Sequence, residues 1–300
     1  MLITRQMIMY FFLGCFVNLI YVVLVSLRYK YLLHVLKERI SLFHSACLSC
    51  VSHTINYIDP FNVGGMLVKP LMSKALSKTT VRNAFLVTLF EQLFDLLWQI
   101  PFLVIILVFL GKSFFAEFLS DIPYLEVIVI FLIACLGLLV VFYFNRIMDF
   151  VFDKLIPKKI KNIPAFKKEH FMGAKQELLL YMKDPKITSV MLLITGVSVL
   201  FAPFLIVASL LPFGIILNYS QVFLVYWISY IAGRLSGIPG GFGTRDAAMF
   251  GMLLHYGYSS AVILSAIVFY RLITFIPNLV IGGSLMIYYG SKYSINFFKK

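Results

Sequence analysis

The chain has 300 residues, 61% of them hydrophobic and 13% charged, with a mean hydropathy of +0.94. No water-soluble globular domain is built with so little polar surface, which leaves an all-α polytopic helical membrane protein. The 26 Lys and Arg against 13 Asp and Glu, a net charge of +13, fall mostly in loops between apolar runs, where they set topology, so a nucleic-acid partner has no support.

Crossing the hydrocarbon takes about 20 apolar residues. Residues 7–27 reach that length, and no small-residue cleavage site follows, so they are expected to be a retained helix and not a signal peptide. Residues 41–76 are also apolar but are broken at Asp59-Pro60, leaving two halves too short to cross. That break has turn chemistry and predicts a re-entrant hairpin. Its Ser45, Ser49, Ser52, His53, Thr54, Asn56, Asp59, Asn62 and Lys69 suit a cavity lining better than lipid. His44, Cys47, Cys50 and His53 stand three apart, but each such step turns a helical side chain by about 60°, so no metal site is expected. With Cys15 and Cys135, the cysteines form no disulfide framework.

Crossings are predicted next at 84–110, which carries Glu91 and Asp95 one turn apart, and at 124–144. Segment 145–186 mixes Arg146 and many lysines with five acids and places Phe166, Phe171, Leu178 and Met182 at helical spacing. It is expected to be an amphipathic cytoplasmic connector along an anionic leaflet. Residues 187–217 form the fourth crossing. Residues 219–255 are broken at Pro239-Gly240-Gly241 and predict a second hairpin; 259–290, with Arg271 inside, is the fifth crossing.

Positive charge fixes the orientation. Basic residues gather at 28–39 (Arg28, Lys30, Lys37, Arg39), at 69–82, at 145–186 and in the tail, whereas loop 111–126 sets Lys112 against Glu117, Asp121 and Glu126. Five crossings then put the N-terminus outside and the C-terminus in the cytoplasm of a multi-pass cell-membrane protein. The chain reads as one membrane domain, 1–300. Helix-hairpin-helix units at 7–110 and 187–290 run in opposite senses, the layout of an inverted repeat with two opposed hairpins. Pro60 precedes Glu91 by nearly the interval at which Pro239 precedes Arg271.

Charges inside spans are costly and mark function or mutual pairing. Glu91, Asp95 and Asp246 with Arg234, Arg245 and Arg271 can neutralise one another in a closed network. Alternatively the arginines face a phosphate, while the carboxylates meet a cationic group or a proton. At the second tip Gly240, Gly241 and Gly243 can turn backbone N–H groups toward a ligand, and a half-helix starting near Thr244 points its positive end at the same spot. The same glycines can instead serve close helix packing. No nucleophilic elbow, metalloprotease motif or phosphate loop is present, and His255 reads as a packing histidine.

Pro239-Gly-Gly-Phe-Gly-Thr-Arg-Asp246, followed by Arg271 in Tyr-Arg-Leu-Ile-Thr-Phe-Ile-Pro277, resembles the second signature of the lysylphosphatidylglycerol synthetase membrane-domain family, also called flippase-like. Asn56, Pro60, Gly64, Lys69 and Glu91-Gln-Leu-Phe-Asp95 are similar to its first. Gly65 stands where that family usually has glutamate, Gln92 where it often has arginine, and Asp246 where glutamate is common. A stand-alone member is expected, without the soluble aminoacyl-transferring domain of bifunctional members or the glycosyltransferase domain of some archaeal relatives. The resemblance implies movement of a polar-headed lipid across the bilayer and not its synthesis.

The expectation is a transporter that needs no cofactor and no ATP site, working downhill or coupled to an ion, with membrane lipids as its partners. Arg245, Arg271, Arg234, Lys69, Asn56, Thr244 and the tip glycines would hold the phosphate. Glu91, Asp95, Asp246 and Asp59 would supply counter-charge or ion coupling. The rival expectations are a membrane-embedded transferase on polyprenyl phosphates, with Asp59 or Asp246 as base, and a partner subunit for a separate lipid synthase.

Overall fold

A computed structural model describes residues 5–59, 64–77, 79–92, 94–95, 98, 176, 180–181 and 183–292. Pro60, Asn62, the crossing expected at 124–144, loop 111–126 and nearly all of connector 145–186 lie outside the described residues. The described residues are helical, without a strand, and three of their helices are long and apolar enough to span a membrane: Arg5–Val35, Pro185–Phe213 and Ser260–Tyr289.

Helix α1, Arg5–Val35, runs past the boundary expected at Leu27. No helix breaker stands between Leu27 and Val35, and the helix stops where Lys37 takes a left-handed φ of 60°. Arg28, counted above as a loop charge, is instead a helical residue only 3% exposed. A cation ends a span only when it has no buried partner, and this one has two.

The break predicted at Asp59-Pro60 separates α2, Leu42–Asn56, from α3, Gly64–Ser77, and the two pack on each other. Ser41 caps α2 by accepting from the His44 amide at 3.1 Å. Helix α4 covers 81–92 and is also helical at 94, 95 and 98. Its start is stapled to the end of α1 by Glu38, which accepts from the Thr80 hydroxyl at 2.6 Å and from the Asn83 amide at 2.9 Å. Ser26, buried in α1, meets Ser49 of α2 at 2.9 Å, while the Ser45 hydroxyl donates to the Ser26 carbonyl at 2.8 Å. Small polar residues hold helices together in lipid in this way, where burial of apolar surface gives no drive.

Helices α5, Pro185–Phe201, and α6, Phe204–Leu210, form one kinked span with the break at Ala202-Pro203. Helix α7, Tyr219–Leu235, opens with an Asn218/Gln221 capping box and pairs with α8, Thr244–His255. The predicted break at Pro239-Gly240-Gly241 is a single 3-10 turn between them. Helix α9, Ser260–Asn278, continues through a π-turn, Leu279–Gly283, into α10, Ser284–Lys292. The π-turn follows Pro277, whose missing N–H loosens the ladder. Gly282 there lies so close to α2 that a Cβ would sit 2.5 Å from the Thr54 hydroxyl.

Two large apolar cores form among the described residues, beside a small cluster of Ala208, Phe269 and Ile273. One gathers Tyr29, Leu48, Phe85 and Phe90 from α1 to α4; the other gathers Ile206, Tyr226, Met249 and Ile263 from α5 to α9. Phe12, Phe16, Leu193 and Val268 are exposed on the outer faces, as lipid contact requires. A polar cavity lies where the two cores meet.

Candidate functional site

Five helices each turn one polar stripe toward a cavity of about 190 Å³. On α1 it is Asn18, Tyr21 and Arg28; on α2, Ser49, Ser52, His53 and Asn56; on α4, Thr88, Glu91, Gln92 and Asp95; on α7, Tyr226, Tyr230 and Arg234; on α9, Tyr270, Thr274 and Asn278. The spacings of three, four and seven keep each set on one face of its helix. Lys69 of α3 and the tip residues Gly240, Gly241 and Arg245 add to the wall, and Ser198, Val199 and Leu205 of α5 and α6 line another part of it. The two chain breaks meet here: the Tyr57 ring lies 6.4 Å from that of Phe242 and 5.0 Å from that of Phe275, and a Cβ on Gly240 would come within 2.9 Å of Tyr57.

The charges sort into three groups. Arg28 grips Asp95 with both nitrogens of its fork, at 2.5 and 3.2 Å, and sets its Nε 3.6 Å from Glu91. Lys69 holds the other Glu91 oxygen at 2.7 Å and sits 3.9 Å above the Tyr29 ring. Two cations and two anions thus close on themselves along one wall. Buried ions survive only when compensated in this way.

Arg271 and Asp246 form the second group, which lies outside the lining. The guanidinium donates to both Asp246 oxygens, at 2.8 and 3.0 Å, and to the carbonyls of Gly240 and Gly241, at 2.9 and 3.1 Å. Asp246 in turn accepts from the Gly243 amide at 3.0 Å. Arg271 therefore braces the tip. The tip amides are likewise engaged: that of Gly241 donates to Ile238, and that of Phe242 to Pro239. The glycines serve the turn and its close approach to α7, since Gly241, at φ 63°, would carry a Cβ 2.9 Å from the Gly233 Cα.

The third group is Arg234 and Arg245, which face the cavity without a carboxylate partner among the described residues. Arg234 donates to the Gln92 side-chain oxygen at 2.8 Å and lies over the Tyr230 ring. Arg245 donates to the Tyr270 hydroxyl and stands 5.0 to 5.4 Å from the rings of Tyr226, Tyr230 and Tyr270. Its Nε is buried with no hydrogen-bond partner. Rings stabilise a cation without satisfying its N–H groups, so the fork stays available to an anion.

Among the other expected site residues, Asn56 lines the cavity and accepts from the Gly65 amide at 3.0 Å. Thr244 bonds Ser236 at 2.9 Å, and Asp59 accepts from the Gly64 amide at 2.8 Å; neither lines the cavity. Among the described residues no group of His, Cys, Asp or Glu could hold a metal. Sequence reasoning missed Arg28, Gln92 and the tyrosine cluster. The stripe Asn18, Tyr21, Arg28 was the available signal, and it was masked by reading Arg28 as a loop charge.

Residues 3–282 match a family model described as the lysylphosphatidylglycerol synthase TM region. Neither the curated proteins nor the solved structures include a match to this chain.

Proposed function

Since the chain belongs to the lysylphosphatidylglycerol synthase membrane-region family, whose membrane setting suggests a lipid-related role, we propose that it is a flippase-like transporter. It moves a lipid with a phosphate-containing head group, aminoacyl-phosphatidylglycerol or a polyprenyl-phosphate-linked lipid, across the cell membrane. The observation that carries this reading is the pair Arg234 and Arg245, two cations in a polar cavity with no carboxylate in salt-bridge contact among the described residues. Arginine forks of that kind suit phosphate oxygens, which they bind bidentately.

In this reading α2/α3 and α7/α8 are re-entrant hairpins that enter from opposite faces, with the N-terminus outside and the C-terminus in the cytoplasm. The helix-hairpin-helix halves rock against each other about the cavity, exposing it to each leaflet in turn. Arg28, Lys69, Glu91 and Asp95 form a neutral wall beside the head group, and the Arg271–Asp246 brace keeps the tip glycines in place.

The test is a liposome assay of labelled-lipid movement. Arg245→Ala is expected to abolish movement while the variant keeps its elution profile and melting temperature. Full movement by Arg245→Ala would sink the reading.

A further inference from the structure

Building on the transport reading, we propose that the cavity selects a head group that brings two negative charges and no positive one, the rest of it being an uncharged polyhydroxyl group such as a diphosphate-linked sugar. The charge count comes from the lining. Glu91 and Asp95 are ion-paired with Lys69 and Arg28, so although one Glu91 oxygen keeps no hydrogen-bond partner, the ammonium groups of an aminoacylated lipid find no un-neutralised carboxylate among the described lining residues. They would instead be buried beside Arg234 and Arg245, where like charges repel strongly at low dielectric. Those two arginines leave an excess of two positive charges among the described lining residues. A phosphodiester neutralises one of them; a diphosphate neutralises both.

The hydroxyl requirement comes from two further atoms. Asn18 and Asn278 both line the cavity and are 2% and 3% exposed, yet the Asn18 Nδ2 and the Asn278 Oδ1 have no hydrogen-bond partner. The Asn278 amide cannot simply be turned over, because its Nδ2 already donates to the Thr274 carbonyl at 2.8 Å. One unpaired donor and one unpaired acceptor in the same cavity match hydroxyl groups, which both donate and accept.

The test measures binding to the full chain in phosphatidylcholine nanodiscs, followed by tryptophan fluorescence, since Trp227 lines the cavity. The probes are farnesyl diphosphate glucose, farnesyl diphosphate, phosphatidylglycerol, lysyl-phosphatidylglycerol and inorganic pyrophosphate. The glucosyl diphosphate is expected to bind at least about tenfold more tightly than phosphatidylglycerol, a difference of about 1.4 kcal/mol, with the lysyl lipid weakest. Arg234→Lys and Arg245→Lys keep the charge but lose the fork, and are expected to weaken the diphosphates about tenfold. Asn18→Ala and Asn278→Ala should weaken only the glucosyl probe. Lysyl-phosphatidylglycerol binding as tightly as the glucosyl diphosphate would overturn the proposal, as would pyrophosphate alone binding as tightly, which marks a bare anion site. Tight, Asn-dependent binding without movement of any lipid in liposomes upholds the selectivity and discards transport. Arg245-dependent movement that prefers the lysyl lipid upholds transport and discards the selectivity.

Discussion

A single residue, Arg28, joins the two carboxylates of α4 into one electroneutral unit, with Lys69 completing it. Removing one member of a buried pair costs about 3–5 kcal/mol, because the other charge is left without compensation. Lys69→Met is therefore expected to lower stability in detergent by an amount in that range. The double variant Lys69→Met with Glu91→Gln should recover more than half of it, since Arg28 still has Asp95. A thermal melt of the three proteins checks this, and equal losses in single and double variants would refute the pairing argument. Gly65 teaches the opposite lesson. A Cβ there would stand 2.5 Å from the Asn56 Oδ1 and from the Ser52 carbonyl oxygen, so Gly65→Glu, which matches the resembled family signature, is expected to destabilise this chain. Its packing was invisible in the sequence, where Gly65 registered only as a missing charge.

At the scale of elements, the second hairpin shows how a break is made into a rigid corner. Proline and glycines stop α7, and left-handed φ values at Gly240, Gly241 and Gly243 turn the chain. Arg271 then ties two tip carbonyls and Asp246 to α9. Arg271→Ala is expected to impair transport through the tip, and to make the backbone at 238–243 exchange amide hydrogen faster. Arg245→Ala should leave that exchange unchanged. Hydrogen-exchange mass spectrometry of both variants separates brace from binding residue: unaltered tip exchange in Arg271→Ala would remove the brace. Both breaks were legible from Asp59-Pro60 and Pro239-Gly240-Gly241, because turn chemistry is local. The direction in which Arg271 points was not, since it depends on where α9 packs.

For the whole molecule, the two cores come together at the cavity, and Tyr57 against Phe242 is a contact between the two chain breaks. If the halves rock, that contact must open. In a background with Cys15, Cys47, Cys50 and Cys135 replaced, Tyr57→Cys with Phe242→Cys, bridged by a short reducible cross-linker, is expected to stop lipid movement, and reduction should restore it. Unchanged movement in the bridged protein would show that the tips stay together during transport. The amino-acid sequence by itself determined the membrane class and the helix-break-helix pairs, and it singled out most of the charged residues that line the cavity. These follow from hydropathy, proline and glycine placement and the cost of charge in lipid, all properties of short stretches. Only the tertiary structure decided which charges cancel. Arg28 left the loop for the cavity, Arg271 left the cavity for the tip, and Arg234 and Arg245 remained without carboxylate partners among the described residues, because ion pairing is set by distances between helices far apart in the chain.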